Sequence, residues 1–225
     1  MPMADQQRHP TNIKTMRGDI VHTSACLMLF TRYPEAGNTK TRLIPYLGAA
    51  QAAELQRWMT ASMAKEMAAL RPDIDRQIHF SGGSLSQMQA WLGRQFTYLP
   101  QFSGGLGSRL HQAFVENFRS GRDAVVAIGA DCPQLSTRHF EQAFKQLKTH
   151  DVVLGPAADG GYYLIGLNRP QCQLFENIPW GTGEVFERTV AIANHLNLSV
   201  ATLEQLRDVD RPEDLELLNQ IPIYI

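Results

Sequence analysis

Cysteine is scarce and long hydrophobic runs are missing. The 225 residues include three cysteines, Cys26, Cys132 and Cys172, with no CxxC pair among them. An odd set of scattered cysteines predicts neither a disulfide framework nor a thiolate metal site, and it favours a reducing compartment. No segment is apolar for long enough to span a bilayer, and residues 1–23 lack the apolar stretch of a secretory signal. We therefore expect a cytoplasmic protein that does not bind membranes, with a disordered tail at 1–23 and a single domain at 24–225.

An excess of positive charge is also missing. Lysine and arginine total 21 against 22 aspartates and glutamates, so the formal net charge is -1, and no long basic run occurs. Binding to DNA or RNA needs clustered cations, and the sequence therefore argues against a nucleic-acid partner. HExxH and GxSxG motifs are absent as well. With 44% hydrophobic residues the chain can bury one core, and a small molecule is the expected ligand.

Apolar runs of strand length alternate with segments of helical periodicity along most of the chain. Strands are predicted at 24–31, 76–80, 96–99, 124–128, 151–154, 160–167 and 199–202, and helices at 48–70, 84–92, 108–119, 137–147, 184–195 and 211–218. This alternation is typical of βαβ crossovers, which build a parallel sheet with helices on both faces. Ligands of such sheets bind at the carboxyl ends of the strands.

A basic loop follows the first predicted strand. It begins at Arg32 and contains Gly37, Lys40, Thr41 and Arg42. Cations, hydroxyl groups and a glycine that permits close backbone approach suit a polyphosphate. A solvated surface loop is the alternative. The GxxxxGK[ST] spacing of a Walker A loop is not present.

Acidic residues follow two later strands. Asp131 stands directly after the strand predicted at 124–128, where a carboxylate can bind Mg²⁺ or Mn²⁺ against substrate phosphates, although capping of a turn is the alternative. Asp208 and Asp210 point to the same side of an extended segment, so both can face one cation. Asp210 also suits the N-cap of the next helix. We expect one of these two acids to cap and the other to bind metal.

Two glycine-containing segments offer further backbone approach to a ligand. Residues 159–161 read Asp-Gly-Gly, which suits close contact with a ligand and is also a strong hairpin signal, and both interpretations can hold. Gly105, Gly107 and Arg109 precede or begin a helix and can present N–H groups to an anion. The third glycine of a GxGxxG fingerprint is missing, so the segment is weak evidence for a dinucleotide.

Taken together, these motifs resemble one family. They fall at the ends of predicted strands or just before helices, and they are Phe30–Leu43, Gly105–Arg109, Gly129–Pro133, Gly155–Tyr163, Trp180–Thr182 and Asp208–Leu215. The set is similar to bacterial transferases described as radical-SAM/selenium-domain-associated, glycosyltransferase-like proteins of the nucleotide-diphospho-sugar transferase (GT-A) superfamily. More distantly, the order of loops is similar to 2-phospholactate guanylyltransferase and the molybdenum-cofactor guanylyltransferases.

The resemblance implies a three-layer α/β/α sandwich with a mostly parallel, mixed sheet. It also implies a Mg²⁺-dependent transferase with Asp131 as the central metal ligand and Asp208 or Asp210 as the second. The candidate nucleotide-binding residues are Phe30, Arg32, Gly37, Lys40, Thr41, Arg42, Gly105, Gly107, Arg109, Gly160 and Gly161. The candidate catalytic residues are Lys40, Arg42, Asp131 and Asp159.

Nucleotidyl transfer from an NTP to a small-molecule acceptor is the leading hypothesis. Only one acid stands between Gly129 and Pro133, whereas the Asp-x-Asp motif of glycosyltransferases supplies two. A Lys40→Ala change is then expected to slow turnover with little loss of stability. The alternatives are glycosyl transfer from a nucleotide sugar and a non-catalytic nucleotide-binding module that serves a partner protein. The base, the acceptor and the oligomeric state are left open.

Overall fold

Seven strands form one sheet in the computed structural model, which describes residues 24–220. They are β1 (Ala25–Arg32), β2 (Ile74–Ser81), β3 (Thr97–Pro100), β4 (Ala124–Gly129), β5 (Val152–Pro156), β6 (Tyr162–Leu167) and β7 (Val200–Thr202). Their order is β3-β2-β1-β4-β6-β5-β7. β6 runs antiparallel to both of its neighbours, and every other pairing is parallel. The prediction of a mostly parallel, mixed sheet is confirmed.

Within residues 24–220, six α-helices cover the sheet and connect its strands. They are α1 (Ile44–Leu47), α2 (Ala49–Ala68), α3 (Leu85–Leu92), α4 (Leu106–Arg119), α5 (Thr137–Gln146) and α6 (Val185–His195). The described part of the chain also contains three 3₁₀ helices, at Thr41–Leu43, Cys172–Phe175 and Pro212–Gln220. Local sequence explains particular helix starts, because the Ser84 hydroxyl accepts from the N–H of Gln87 while the Gln87 side chain accepts from the N–H of Ser84.

The first strand shows why both faces of the sheet carry helices. Side chains of a strand alternate between the two faces, and β1 is apolar at successive positions. Leu27 and Leu29 belong to the core shared with α2, α3 and α5, whereas Cys26 and Met28 belong to the core shared with α4 and α6. Two separate cores of this kind define the predicted three-layer α/β/α sandwich.

A smaller core cluster holds the loops at the carboxyl edge of the sheet. Leu43 of the basic loop, Met59 of α2, Val209 and Leu217 are all buried in it. These residues come from two distant parts of the chain, 43–59 and 209–217. Burial of each apolar side chain stabilises the fold by about 1.5–3 kcal/mol, so the cluster fixes the basic loop against the segment that carries Asp208 and Asp210.

Some elements differ from those predicted. The basic loop was predicted over 32–43, but its last three residues form the 3₁₀ helix at Thr41–Leu43, which leads directly into α1. The segment predicted as a closing α-helix at 211–218 is a 3₁₀ helix. The turn at 159–161 joins β5 to the reversed strand β6, as its hairpin signal predicted, and the Ala157 N–H donates to the Gly161 carbonyl at 3.0 Å.

Three further expectations concern the whole chain. All three cysteines are free thiols, and two of them, Cys26 and Cys132, are buried. Within residues 24–220, none of the helices combines the length and the apolar character needed to cross a bilayer. The tail predicted to be disordered, residues 1–23, lies outside the described residues.

Candidate functional site

A pocket of about 500 Å³ opens at the carboxyl ends of β1, β2 and β4. Six of the predicted nucleotide-binding residues line it together with two predicted metal ligands. They are Phe30, Arg32, Lys40, Thr41, Arg42 and Arg109, with Asp131 and Asp210. We call this the cationic pocket, because four of these side chains carry positive charge and they come from the basic loop and from α4.

Lys40 is the most constrained cation of the pocket. Its side chain is 4% exposed, and its Nζ lies 2.7 Å from Asp131 Oδ1 and 4.0 Å from Asp210 Oδ1. The same ammonium donates to the buried carbonyl of Val209 at 2.6 Å. The backbone of Lys40 is left-handed, with φ 48° and ψ 46°, a conformation that costs a residue with a Cβ about 1–2 kcal/mol. Its contacts therefore outweigh a backbone strain, and Lys40 clamps three segments together.

The two acidic segments meet through their backbones. The Val209 N–H donates to the Asp131 carbonyl at 2.9 Å, and the Val209 side chain is fully buried. Because side chains alternate along an extended segment, Asp208 and Asp210 both turn away from the core, and both line one cavity beside Arg42. The prediction that these two acids share a side is confirmed.

The capping prediction for this segment is wrong. The backbone N–H groups of Asp210 and Arg211 both donate to Asp214 Oδ2, at 3.1 and 2.8 Å. The Asp210 carboxylate instead accepts a hydrogen bond from Arg42. Asp214 therefore holds the start of the last helix, and neither Asp208 nor Asp210 is its cap.

The two remaining cations of the pocket, Arg32 and Arg109, differ from Lys40 and Arg42 in their partners. Among residues 24–220, no carboxylate lies within ion-pair distance of Arg32 or Arg109. Arg109 is oriented instead by the Gly104 carbonyl at 2.8 Å and by Gln101 Oε1 at 3.1 Å. An arginine that is held by neutral acceptors keeps its charge for an anion, so Arg32 and Arg109 are the better candidates for binding phosphate.

A second cavity, of about 250 Å³, adjoins the cationic pocket. Leu106 and Asp131 line both. We call it the acidic cavity, because its other charged lining residues are Asp159 and Asp208. Its walls include three aromatic side chains, from Tyr162, Tyr163 and Trp180. Asp131 thus stands between a cationic pocket on one side and an acidic, aromatic cavity on the other.

Asp208 has the clearest electrostatic perturbation among the site acids. Partial burial raises the pKa of Asp208 above its ordinary value, and the nearby charge of Asp159 raises it further. Asp214 and Asp131 act in the same direction. Carboxylates that crowd together in this way disfavour ionisation, and a bound cation relieves the repulsion.

The predicted glycines have different roles. Gly37 has a positive φ of 88° with open space around it, as a turn in the basic loop requires, and Gly105 also faces open space. A Cβ on Gly107 would lie 2.5 Å from Trp180 Nε1, so this glycine allows α4 to pack against Trp180 rather than contact a ligand. A Cβ on Gly160 would meet the Gly183 carbonyl at 2.1 Å, and Gly161 lines the acidic cavity rather than the cationic pocket.

Sequence reasoning missed several residues of the site. Gln101 follows β3 and donates to the carbonyls of Thr31 in β1 and His79 in β2 at 2.9 and 3.0 Å, which ties the segment after β3 to the ends of both strands beside the cationic pocket. Trp180 belongs to a motif of the family resemblance, but no role was assigned to it. A polar residue directly after a strand was the available signal for Gln101.

The side chains present fit a hard divalent cation. Asp131, Asp208 and Asp210 offer carboxylate oxygens, the ligand type that Mg²⁺ prefers. Within the described part of the chain, no three His, Cys, Asp or Glu residues converge closely enough to form a metal cage. Mg²⁺ is usually bound by one or two carboxylates together with substrate phosphates and water, so an incomplete protein cage suits it.

The architecture is the fold of the nucleotide-diphospho-sugar transferases. A protein of Desulfovibrio desulfuricans G20, provisionally described as a nucleotide-diphospho-sugar transferase, has a crystal structure that matches with a TM-score of 0.82. The two sequences are 34% identical, and the match covers 87% of this chain and 86% of that one. The chain belongs to the family described as "Uncharacterized protein conserved in bacteria (DUF2064)", whose model matches residues 63–182. A comparison with curated proteins found no match.

Solved structures of lower identity share the fold alone. A 4-diphosphocytidyl-2C-methyl-D-erythritol synthase from Anaerococcus prevotii matches with a TM-score of 0.57 and 8% identity, over 90% of this chain and 98% of that chain. A CMP:2-keto-3-deoxy-manno-octonic acid synthetase complexed with CTP matches with a TM-score of 0.53 and 11% identity, over 87% and 97%. The predicted association with radical-SAM proteins and the likeness to guanylyltransferases stay predictions.

Proposed function

We propose that this protein is a divalent-metal-dependent transferase that takes a nucleoside triphosphate and passes its nucleotidyl group to a small-molecule acceptor. The observation that carries the proposal is the position of Asp131. This carboxylate lies where the cationic pocket and the acidic cavity meet. A donor whose phosphates lie in the first and an acceptor that lies in the second would therefore come together beside it.

The cationic pocket supplies the phosphate contacts. Arg32 and Arg109 face it without a carboxylate partner among the described residues, and a guanidinium binds phosphate oxygens through a planar pair of donors. Arg42 is paired with Asp210, and its positive charge lies where negative charge would develop on the leaving pyrophosphate. Phe30 lines the same pocket and offers an aromatic face, but the lining does not identify the base.

The metal assignment rests on the acids at the edge of the sheet. Mg²⁺ or Mn²⁺ held by Asp131, with Asp208 or Asp210, would supply charge neutralisation to the reacting phosphate. Lys40 positions Asp131 by an ion pair at 2.7 Å. Asp159 lines the acidic cavity and is the residue that we assign to the acceptor. We place this reaction in the cytoplasm on the sequence argument alone.

Glycosyl transfer from a nucleotide sugar is the second candidate. It is favoured by the 34% identity to a protein provisionally described as a nucleotide-diphospho-sugar transferase. The same pocket and cation would then serve a departing nucleoside diphosphate, and the acids would keep the same positions.

Binding of the donor tests the proposal directly. Thermal unfolding is followed with each NTP and with nucleotide sugars, with and without Mg²⁺. A ligand present at 100 times its Kd stabilises the folded state by about 2.7 kcal/mol, which raises the Tm by about 5–11 °C for a chain of this size. Metal-dependent stabilisation by one NTP supports nucleotidyl transfer, whereas stabilisation by a nucleotide sugar alone supports glycosyl transfer.

Matched arginine variants locate the binding. Arg32→Ala and Arg109→Ala should each lose most of the ligand-dependent shift, since each removes a phosphate contact from the cationic pocket. Arg94→Ala changes an exposed arginine outside the pocket and should keep the shift. The absence of a shift with every nucleotide, in the unchanged protein, would contradict the proposal.

A further inference from the structure

The acidic cavity differs from the cationic pocket in the charge of its walls. Four cationic side chains line the pocket, whereas the lining of the acidic cavity contains no lysine, arginine or histidine within residues 24–220. Its charged members are Asp131, Asp159 and Asp208. Asp131 lines both spaces, so the charge of the lining changes from positive to negative at this one side chain.

A phosphorylated acceptor would meet this lining at a cost. Lys40 pairs with Asp131 from the side of the cationic pocket, whereas Asp159 and Asp208 have no cationic partner among the described residues, so these two carboxylates keep the wall negative. A cation shared with the donor has its charge partly neutralised by the donor's own phosphates as well. Like charges placed together without compensation oppose binding strongly, so the cavity selects against phosphate and carboxylate groups.

The rest of the lining favours a flat ring. Trp180 and Tyr162 meet edge to face, with ring centroids 6.0 Å apart and an interplanar angle of 81°. Gly107 permits the close packing that holds Trp180 in place. An indole held in this way offers a rigid apolar surface for the C–H face of a sugar-like ring, while the carboxylates accept from hydroxyl groups at its edge.

One buried group points to a ligand independently of the acids. The Tyr162 hydroxyl is buried and has no hydrogen-bond partner among the described residues, although Tyr162 lines the cavity. A buried hydroxyl without a partner costs about 1–3 kcal/mol, and a ligand hydroxyl or a water bound with the ligand would satisfy it.

We propose that the acceptor is an uncharged, polyhydroxylated ring compound that reacts through a hydroxyl group and carries no phosphate. This inference rests on the proposed function, because it assigns the acceptor of the same site. The hydroxyl oxygen forms a bond to the α-phosphorus of the donor, and the bond from that phosphorus to pyrophosphate breaks. The hydroxyl proton passes to the carboxylate of Asp159, and pyrophosphate leaves with the bonding electron pair.

The test compares matched sugars with and without a phosphate. Saturation-transfer NMR is recorded on the full chain with Mg²⁺ and the nucleotide that gives the largest thermal shift. The probes are the methyl glycosides of glucose, mannose and galactose, and the 6-phosphates of the same sugars. At least one methyl glycoside should bind, and its phosphorylated counterpart should bind about tenfold more weakly or worse.

Two variants test the charge of the acidic cavity and its aromatic wall separately. Asp159→Asn removes one negative charge and should strengthen binding of the phosphorylated probe by about fivefold. Trp180→Ala should abolish binding of the methyl glycoside, and its unfolding curve shows whether the fold survives. Glu141→Gln changes an exposed acid of α5 and should leave both probes unaffected.

The outcomes distinguish this inference from the proposed function. Binding of the phosphorylated sugars at least as tightly as the methyl glycosides would overturn it, and so would binding of neither class while the nucleotide still binds. An unchanged phosphate affinity in Asp159→Asn would remove the electrostatic argument. If no nucleotide binds at all, the proposed function fails first, and the thermal-shift experiment reports that separately.

Discussion

Replacing Lys40 by methionine removes the ammonium that joins three parts of the site. Methionine has a similar length, and it keeps the left-handed backbone of position 40, so the change isolates the charge. The lost contacts are the ion pair to Asp131 at 2.7 Å and the hydrogen bond to the Val209 carbonyl at 2.6 Å. Asp210, at 4.0 Å, is a weaker partner.

The size of the effect follows from the exposure of the two acceptors. A hydrogen bond from a charged donor contributes about 1.5–3 kcal/mol. The Val209 carbonyl belongs to a fully buried residue, so loss of its hydrogen bond to Lys40 lowers stability by the full amount. The Asp131 side chain is 50% exposed, so water screens its ion pair and loss of that pair costs less. We therefore expect Lys40→Met to lower the free energy of unfolding by about 2–4 kcal/mol, which corresponds to a Tm lower by about 4–16 °C.

Urea unfolding of Lys40→Met, with Lys65→Met as its matched control, measures this loss. Lys65 is an exposed lysine of α2, and its replacement should change stability by less than about 0.5 kcal/mol. Binding of the nucleotide should weaken as well, because Asp131 loses the partner that orients it. If Lys40→Met is as stable as the control, Lys40 does not clamp the loops, and its burial has another explanation. The sequence alone predicted little loss of stability for Lys40→Ala, and the structure now predicts a clear loss.

Three other changes follow from the contacts described. Asp208→Asn should raise the free energy of unfolding at pH 7 in metal-free buffer, since the raised pKa of Asp208 means that its charge destabilises the fold. The gain should vanish below about pH 4, where Asp208 is protonated in both the folded and the unfolded state. No gain at pH 7 would contradict this. Burial lowers the pKa of His79 to about 4, so the unfolded state takes up a proton first and stability should fall by about 3 kcal/mol between about pH 6.5 and 4. His79→Gln should flatten that pH dependence in a denaturation series, whereas His195→Gln at an exposed position should not. Gly107→Ala should lower the free energy of unfolding in urea by about 1–3 kcal/mol, because its Cβ would meet Trp180. Gly105→Ala, which places its Cβ in open space, should change it little. Equal effects of the two changes would refute the packing role of Gly107.

Much of the fold could be predicted from the sequence, because its signals are local. The apolar run of β4 and the periodicity of α2 both identify elements whose ends shift by only one or two residues in the structure. The position of β6 between β4 and β5 was not predicted. The hairpin signal at 159–161 was noticed, but a turn alone does not tell which strand will pair beside the next one.

The geometry of the site was predicted in part, and the contacts that were not predicted have a common cause. The basic loop and the acids at Asp131 and at 208–210 do come together, because parallel strands end at one edge of the sheet. Which cation meets which acid depends on distances between distant segments, and sequence carries no such information. Lys40 and Arg42 were predicted to hold phosphates, but in the structure both are engaged with aspartates. Arg109, another predicted nucleotide-binding residue, has no carboxylate within ion-pair distance among the described residues, and we propose that it binds phosphate.

The contacts of Val209 hold the two acidic segments of the site together. Its N–H reaches the Asp131 carbonyl, its carbonyl receives Lys40, and its side chain is anchored in the core. The direct hydrogen bond between the two acidic segments thus joins main-chain atoms, which every sequence possesses. Relatives of this protein can therefore exchange the side chains that choose a donor or an acceptor without disturbing where the metal would bind. Under the proposed function, one scaffold of this kind would accept different substrates while keeping the same metal position.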